Sequence, residues 1–247
     1  MSNTVILDNV THQNLRVRQA YPEGAGYDLN VARVFPSELA DLQRQYPLML
    51  LKNQESGHFE TIALLGFQEG ENLFLDADGW ASECIPLSMQ RQPFLIGFQE
   101  QEIDGIPGRA PVVCIDMDHP LVNEEEGEPV FLPGGGESPY LQRMASILKA
   151  IHEGHEDGER FSQILVGLEL VEPVAVDVEF RNAEKTSLKG LFRINEQTFK
   201  HLNANALQTL HEQQYLRCIF MLLASLGNMP RLIERKNRKL EHSGAGD

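Results

Sequence analysis

Residues 66–98 read GFQEGENLFLDADGWASECIPLSMQRQPFLIGF. Two apolar, strand-like pieces flank a turn, Asp76-Ala77-Asp78-Gly79, in which glycine supplies the positive φ that a tight hairpin needs. The stretch carries no recognisable reaction chemistry. Working outward, short apolar runs broken by Gly, Pro, Asn and Asp at 47–52, 61–67, 72–75, 93–98 and 111–115 all read as strands. The step Phe35-Pro36-Ser37-Glu38 opens a helix, with proline in its first turn and Leu39 and Leu42 facing the core.

A polar stretch follows. Residues 99–128 hold nine acidic side chains and one basic one, Arg109, and the run 123–128 (NEEEGE) reads as a solvated loop. Pro133-Gly134-Gly135-Gly136 reads as a mobile linker, because Glu137 would repel an anion at the helix that follows. That helix is capped by Ser138, with Pro139 at its first position and Leu141, Met144, Leu148 and Ile151 on one face. Its pattern breaks at 152–158, and a shorter helix covers about 159–168. Residues 174–180 (VAVDVEF) alternate strictly, which predicts a half-buried strand antiparallel to 188–194. Helices then begin after Asn195 and over 204–226. Gly227 and Asn228 form a stop, and a basic helix runs from about Pro230 to Leu240. Strands early and helices late predict an α+β fold. Its strand-rich N-terminal half is mostly antiparallel sheet, and its helix-rich C-terminal half holds one β-hairpin. The chain reads as one domain over 1–247, with a possible subdivision at 129–137.

Against 21 basic side chains stand 36 acidic ones, a formal charge of −15, which argues against general nucleic-acid binding. The longest near-apolar run, 218–226, is too short to span a bilayer and reads as a core helix, so no transmembrane segment is expected. No secretory signal is read at the N-terminus. Cys84, Cys114 and Cys218 show neither zinc spacing nor a disulfide framework. These readings together predict a cytoplasmic protein with reduced, buried thiols.

The ordered set FPSELADLQRQYPLML (35–50), NLFLDADGW (72–80), CIPLSMQRQPFLIG (84–97), CIDMDHPLV (114–122), EEEGEPVF (124–131), SPYLQRM (138–144) and LKGLFRINEQTF (188–199) resembles the SapC family of bacterial proteins. The family takes its name from a locus for a surface-layer array. Its members often sit in gene neighbourhoods with flavin-dependent halogenase-like proteins and outer-membrane receptors. The resemblance implies a non-catalytic binding or accessory protein with a protein partner, and it brings no catalytic residues and no cofactor. In the family pattern the position of His119 usually holds a small hydroxyl residue, which counts against a catalytic role for it.

The alternative is a metal-dependent enzyme. Its candidate ligands are Asp116, Asp118 and His119, where alternate strand positions share a face, and His152 with His155, three apart on a helix. The plainer readings are a strand end running into an acidic loop and a solvated interhelical turn. Asp76-Ala77-Asp78-Gly79 also starts like a calcium loop, but the twelfth position holds Leu87 where that motif needs Glu. For a partner surface, the candidates are Trp80 and the basic residues of the last helix, Arg231, Arg235, Lys236, Arg238 and Lys239. The oligomeric state is left open.

Overall fold

The computed structural model describes residues 3–22, 24–76, 78–103 and 106–244. In chain order the elements are β1 (Thr4–Ile6), β2 (Arg16–Val17), β3 (Val31–Arg33), α1 (Leu39–Leu42), β4 (Leu48–Lys52), β5 (Phe59–Leu64), β6 (Leu75–Asp76), β7 (Gly79–Trp80), α2 (Leu87–Gln90), β8 (Phe94–Ile103), β9 (Ile106–Asp116), β10 (Val122–Asn123) and β11 (Glu128–Pro129). There follow α3 (Pro139–Gly167), β12 (Val171–Glu179), β13 (Lys185–Ile194), α4 (Glu196–Lys200), α5 (Ala204–Glu212), α6 (Tyr215–Ser225), a 3-10 turn (Leu226–Asn228) and α7 (Met229–Gly244). Every strand pair is antiparallel, and the fold is α+β as the pattern predicts.

The chain condenses into two units, each made of two separate pieces of sequence: Met1–Ala25 with Leu87–Glu153, and Gly26–Pro86 with Gly154–Asp247. The junctions between these pieces follow Ala25, Pro86 and Glu153.

In the first unit β8 and β9 form a long hairpin, and β1 adds to the outer edge of β9. Its strands reach well beyond the apolar pieces 93–98 and 111–115, into the stretch read as merely polar. Phe94 and Ile115 are fully buried, and Phe94 meets Tyr140 of α3 edge-on. The acidic run 124–126 is exposed, but it is an ordered turn. Asn123 Oδ1 accepts hydrogen bonds from the backbone N–H groups of Glu125 and Glu126, and β10 and β11 both pair with β2. The glycine run at 133–136 is a tight turn rather than a mobile linker. Leu132 N–H donates to the Gly136 carbonyl and Gly135 N–H to the Leu132 carbonyl, and Phe131 bridges Glu137.

The second unit is built on a five-stranded sheet of order β12-β13-β4-β5-β3. The β12 alternation holds: Asp177 and Glu179 are exposed and Val178 is buried. Pairing shifts between Val174 and Val176, where β13 carries an extra residue and Gly190 takes φ +77°. β6 and β7 pair antiparallel, with Asp76 opposite Gly79 and Gly79 at φ +112°; Ala77 of the expected turn lies outside the described residues. Residues 72–74, read as strand, are a turn held by Asn72, whose Oδ1 accepts from Phe74 N–H and whose Nδ2 donates to the Tyr27 carbonyl.

Three helix boundaries differ from the pattern. α3 runs unbroken through 152–158, and Gly154 within it sits where Phe35 leaves no room for a side chain. The stretch 204–226 is two helices, interrupted at Gln214, whose φ is +65°. The apolar piece 218–226 belongs to a longer helical run, Tyr215–His242, which is long and apolar enough in composition to cross a membrane. Its inward face is built like a core helix: Cys218, Ile219, Leu222, Ser225 and Leu232 are buried. The Ser225 hydroxyl accepts from Leu48 N–H of β4, so α6 is fastened to the sheet.

Candidate functional site

Helix α7 is set in place from its first turn. Buried Asn228 donates from Nδ2 to the carbonyls of Gln43 and Tyr46, which anchors the helix start beside α1. Helical spacing then divides the basic residues. Arg231, Arg235, Arg238 and His242 line a groove of about 960 Å³ together with Arg44, Gln45, Leu73, Asp76 and Glu83. Lys236 turns the other way, so it leaves the candidate partner surface. Its Nζ lies 2.7 Å from Glu71 Oε1, with both side chains buried and 5.8 Å between Nζ and the Phe180 ring centre. The other Glu71 oxygen accepts from Phe67 N–H. Lys239 is exposed.

The groove wall is preorganised. The Arg235 guanidinium lies 4.4 Å from the Phe74 ring centre and donates to the Ala81 carbonyl at 2.9 Å. Burial holds its pKa below the usual guanidinium range, while Tyr46 and Asp76 push the other way. Beneath it, the Tyr46 hydroxyl donates to the Cys84 carbonyl at 2.6 Å and accepts from Trp80 Nε1 at 2.8 Å. Trp80 is thus a half-buried donor in a fixed network. Burial is the main cause that pushes the Tyr46 phenol up to about 12. In the unfolded chain it titrates near 10. The folded state therefore keeps its proton longer, and stability is expected to fall as pH rises from about 10 to 12. Denaturant unfolding across that range checks this, and Tyr46→Phe should flatten the slope.

Each metal candidate has local contacts within its own unit. Asp116 Oδ1 accepts from Asp118 N–H, and Asp118 Oδ2 accepts from Asn3 N–H. His119 points elsewhere, with Nε2 against the Ala25 carbonyl and Gln92 Oε1 and Nδ1 accepting from Leu121 N–H. Burial lowers its pKa. His152 meets Phe98 edge-on in the first unit. His155, in the second, lies 3.3 Å from an Arg33 nitrogen and packs on Phe35. Among the described residues no three His, Cys, Asp or Glu side chains are placed to hold one ion. The buried thiols of Cys114 and Cys218 are pushed up by desolvation, Cys218 to about 11, which blunts their reactivity.

Sequence reasoning missed Arg44, Asp76, Glu83 and His242 as groove residues. Nothing in the local pattern links Arg44 to a helix that begins near residue 229; only the folded register of α1 against α7 does.

Residues 7–232 of the chain match the SapC family model. The chain belongs to the SapC family. The groove straddles that match: Arg44, Asp76, Glu83 and Arg231 lie inside it, whereas Arg235, Arg238 and His242 lie beyond its end. No curated protein and no solved structure matches this SapC chain.

Proposed function

We propose that this SapC-family protein is a non-catalytic binding protein, an accessory to a protein partner that docks in the α7 groove. The observation that supports this reading is the preformed groove wall. Arg235, which lines the groove, is held by Phe74 and the Ala81 carbonyl, over a buried Tyr46 that is itself held between Trp80 and Cys84. Side chains already fixed lose little entropy on docking, so a groove of this kind converts contact into affinity. Arginine, which lines the groove at Arg44, Arg231, Arg235 and Arg238, is also among the residue types that most often anchor interfaces. Among the described residues, Asp116, His119 and His152 make local turn and ring contacts. The family resemblance suggests the partner class, a flavin-dependent halogenase-like protein or a component of a surface-layer pathway, met in the cytoplasm.

Affinity capture from the source cells tests this, with wild-type protein beside an Arg231→Glu variant. One protein retained in stoichiometric amount by the wild type and lost from the variant is the expected result. A partner held equally by both, or no partner at native levels, would sink the reading. Fractionation of the same cells checks the compartment.

A further inference from the structure

We infer that the α7 groove recognises an extended, acidic protein segment, whose carboxylates meet Arg231 and Arg235. This rests on the binding reading above and names the chemistry of the partner.

The argument starts from charge. Acidic side chains outnumber basic ones by 36 to 21, so a basic residue has carboxylates in abundance to pair with. Arg231 and Arg235 nevertheless have no carboxylate within ion-pair distance among the described residues. Arg231 donates to the Arg44 carbonyl at 3.4 Å and to Asn228 Oδ1 at 3.3 Å. Arg235 has the Ala81 carbonyl and the face of Phe74. Like charges four apart on a helix repel, and Arg235 is also partly desolvated, a cost that Tyr46 and Asp76 offset only in part. A bound anion relieves both costs, and a guanidinium fork suits a carboxylate in two-pronged contact.

Geometry selects the kind of anion. Donors that cage one phosphate converge on a point, whereas these lie in a row along the helix. Arg231 and Arg235 are separated by about 6 Å of helix rise. Alternate residues of an extended strand are about 6.6 Å apart, so carboxylates at positions i and i+2 of such a segment match the pair. Asp76, Glu83 and Glu234 in the same groove disfavour a dense polyanion such as nucleic acid. Glu234 is itself held by Arg181 at 2.7 Å and by Arg238 at 3.3 Å, so it does not neutralise the first two arginines.

Fluorescence anisotropy with a labelled peptide of alternating Glu and Ala tests the inference, beside the same peptide with Gln for Glu. The wild type should bind the Glu peptide one to one, ignore the Gln peptide, and release it in about 0.5 M salt. Arg231→Glu, at an exposed position, should weaken binding at least tenfold with circular dichroism unchanged. Arg235→Lys, which keeps the charge and loses the fork, should also weaken it. Equal binding of the two peptides, or an unaltered Arg231→Glu variant, would overturn the inference. So would full displacement by inorganic phosphate, which would mark a small-anion site. A doubled mass in solution that Arg231→Glu abolishes would overturn it in favour of a second copy. Peptide binding that behaves as expected while cells yield no partner would sink only the accessory-protein reading.

Discussion

Lys236→Ala is expected to destabilise the second unit by about 3–5 kcal/mol, the usual cost of removing one member of a buried ion pair. The magnitude follows from burial on both sides. The Lys236 side chain is 7 % exposed and Glu71 is 9 %, with 2.7 Å between Nζ and Oε1. Truncating the lysine leaves a carboxylate in a dry site with one backbone N–H, from Phe67, as its remaining partner. The paired replacement Lys236→Met with Glu71→Leu should recover most of the loss, because well-packed apolar substitutes for buried ion pairs are often neutral or better. Urea unfolding of the three variants decides it. If Lys236→Ala costs less than about 1 kcal/mol, the size expected of an exposed pair, the pair is not buried in solution.

Gly154→Ala and Gly158→Ala should shift stability in opposite directions, though both replace a glycine within helix α3. Alanine is favoured over glycine in a helix interior by about 1 kcal/mol. At Gly158 nothing lies within 4 Å of the added methyl, so that gain of up to about 1 kcal/mol should appear in full. At Gly154 the new Cβ would stand 2.6 Å from the Phe35 ring carbon Cγ, with two more Phe35 atoms at 2.8 and 2.9 Å. Phe35 is itself 3 % exposed, so the ring cannot swing out without opening the core. Overpacking of this kind costs about 1–3 kcal/mol, which outweighs the helical gain. Thermal melts of both variants settle the signs. Two stabilising substitutions would show that Phe35 yields easily.

Those glycines also show where sequence reading stops. Periodicity finds α3 from Leu141 to Ile151, and two glycines with two histidines then resemble a helix end. The helix nevertheless continues, with Phe35 packed on Gly154 in a contact that joins residues distant in sequence. The β12–β13 hairpin was legible because alternation of valine with acid is a local signal. The pairing of β13 with β4 was not, since Leu191 meets Leu51 across some 140 positions. On the candidate site, the basic run of the last helix marked Arg231, Arg235, Lys236, Arg238 and Lys239 together, and it could not separate Lys236, which folds against Glu71. The fate of Lys236 is set by a loop that folds back on Gly66, where even a Cβ would collide with the Glu71 carbonyl at 2.3 Å.

The outermost strand of the five-stranded sheet, β12, has a consequence for how the protein tolerates crowding. An open edge nine residues long is a template for a neighbour's backbone, the first step toward fibrous precipitation. Here the register shift at Gly190 adds local twist, Pro173 has no N–H to offer, and Asp177 sets negative charge along the border, while Glu172 and Glu179 are paired with Arg193 and Lys185 of β13. An incoming copy of the same strand would meet its own charges and a warped ladder, so concentrated solutions should stay clear.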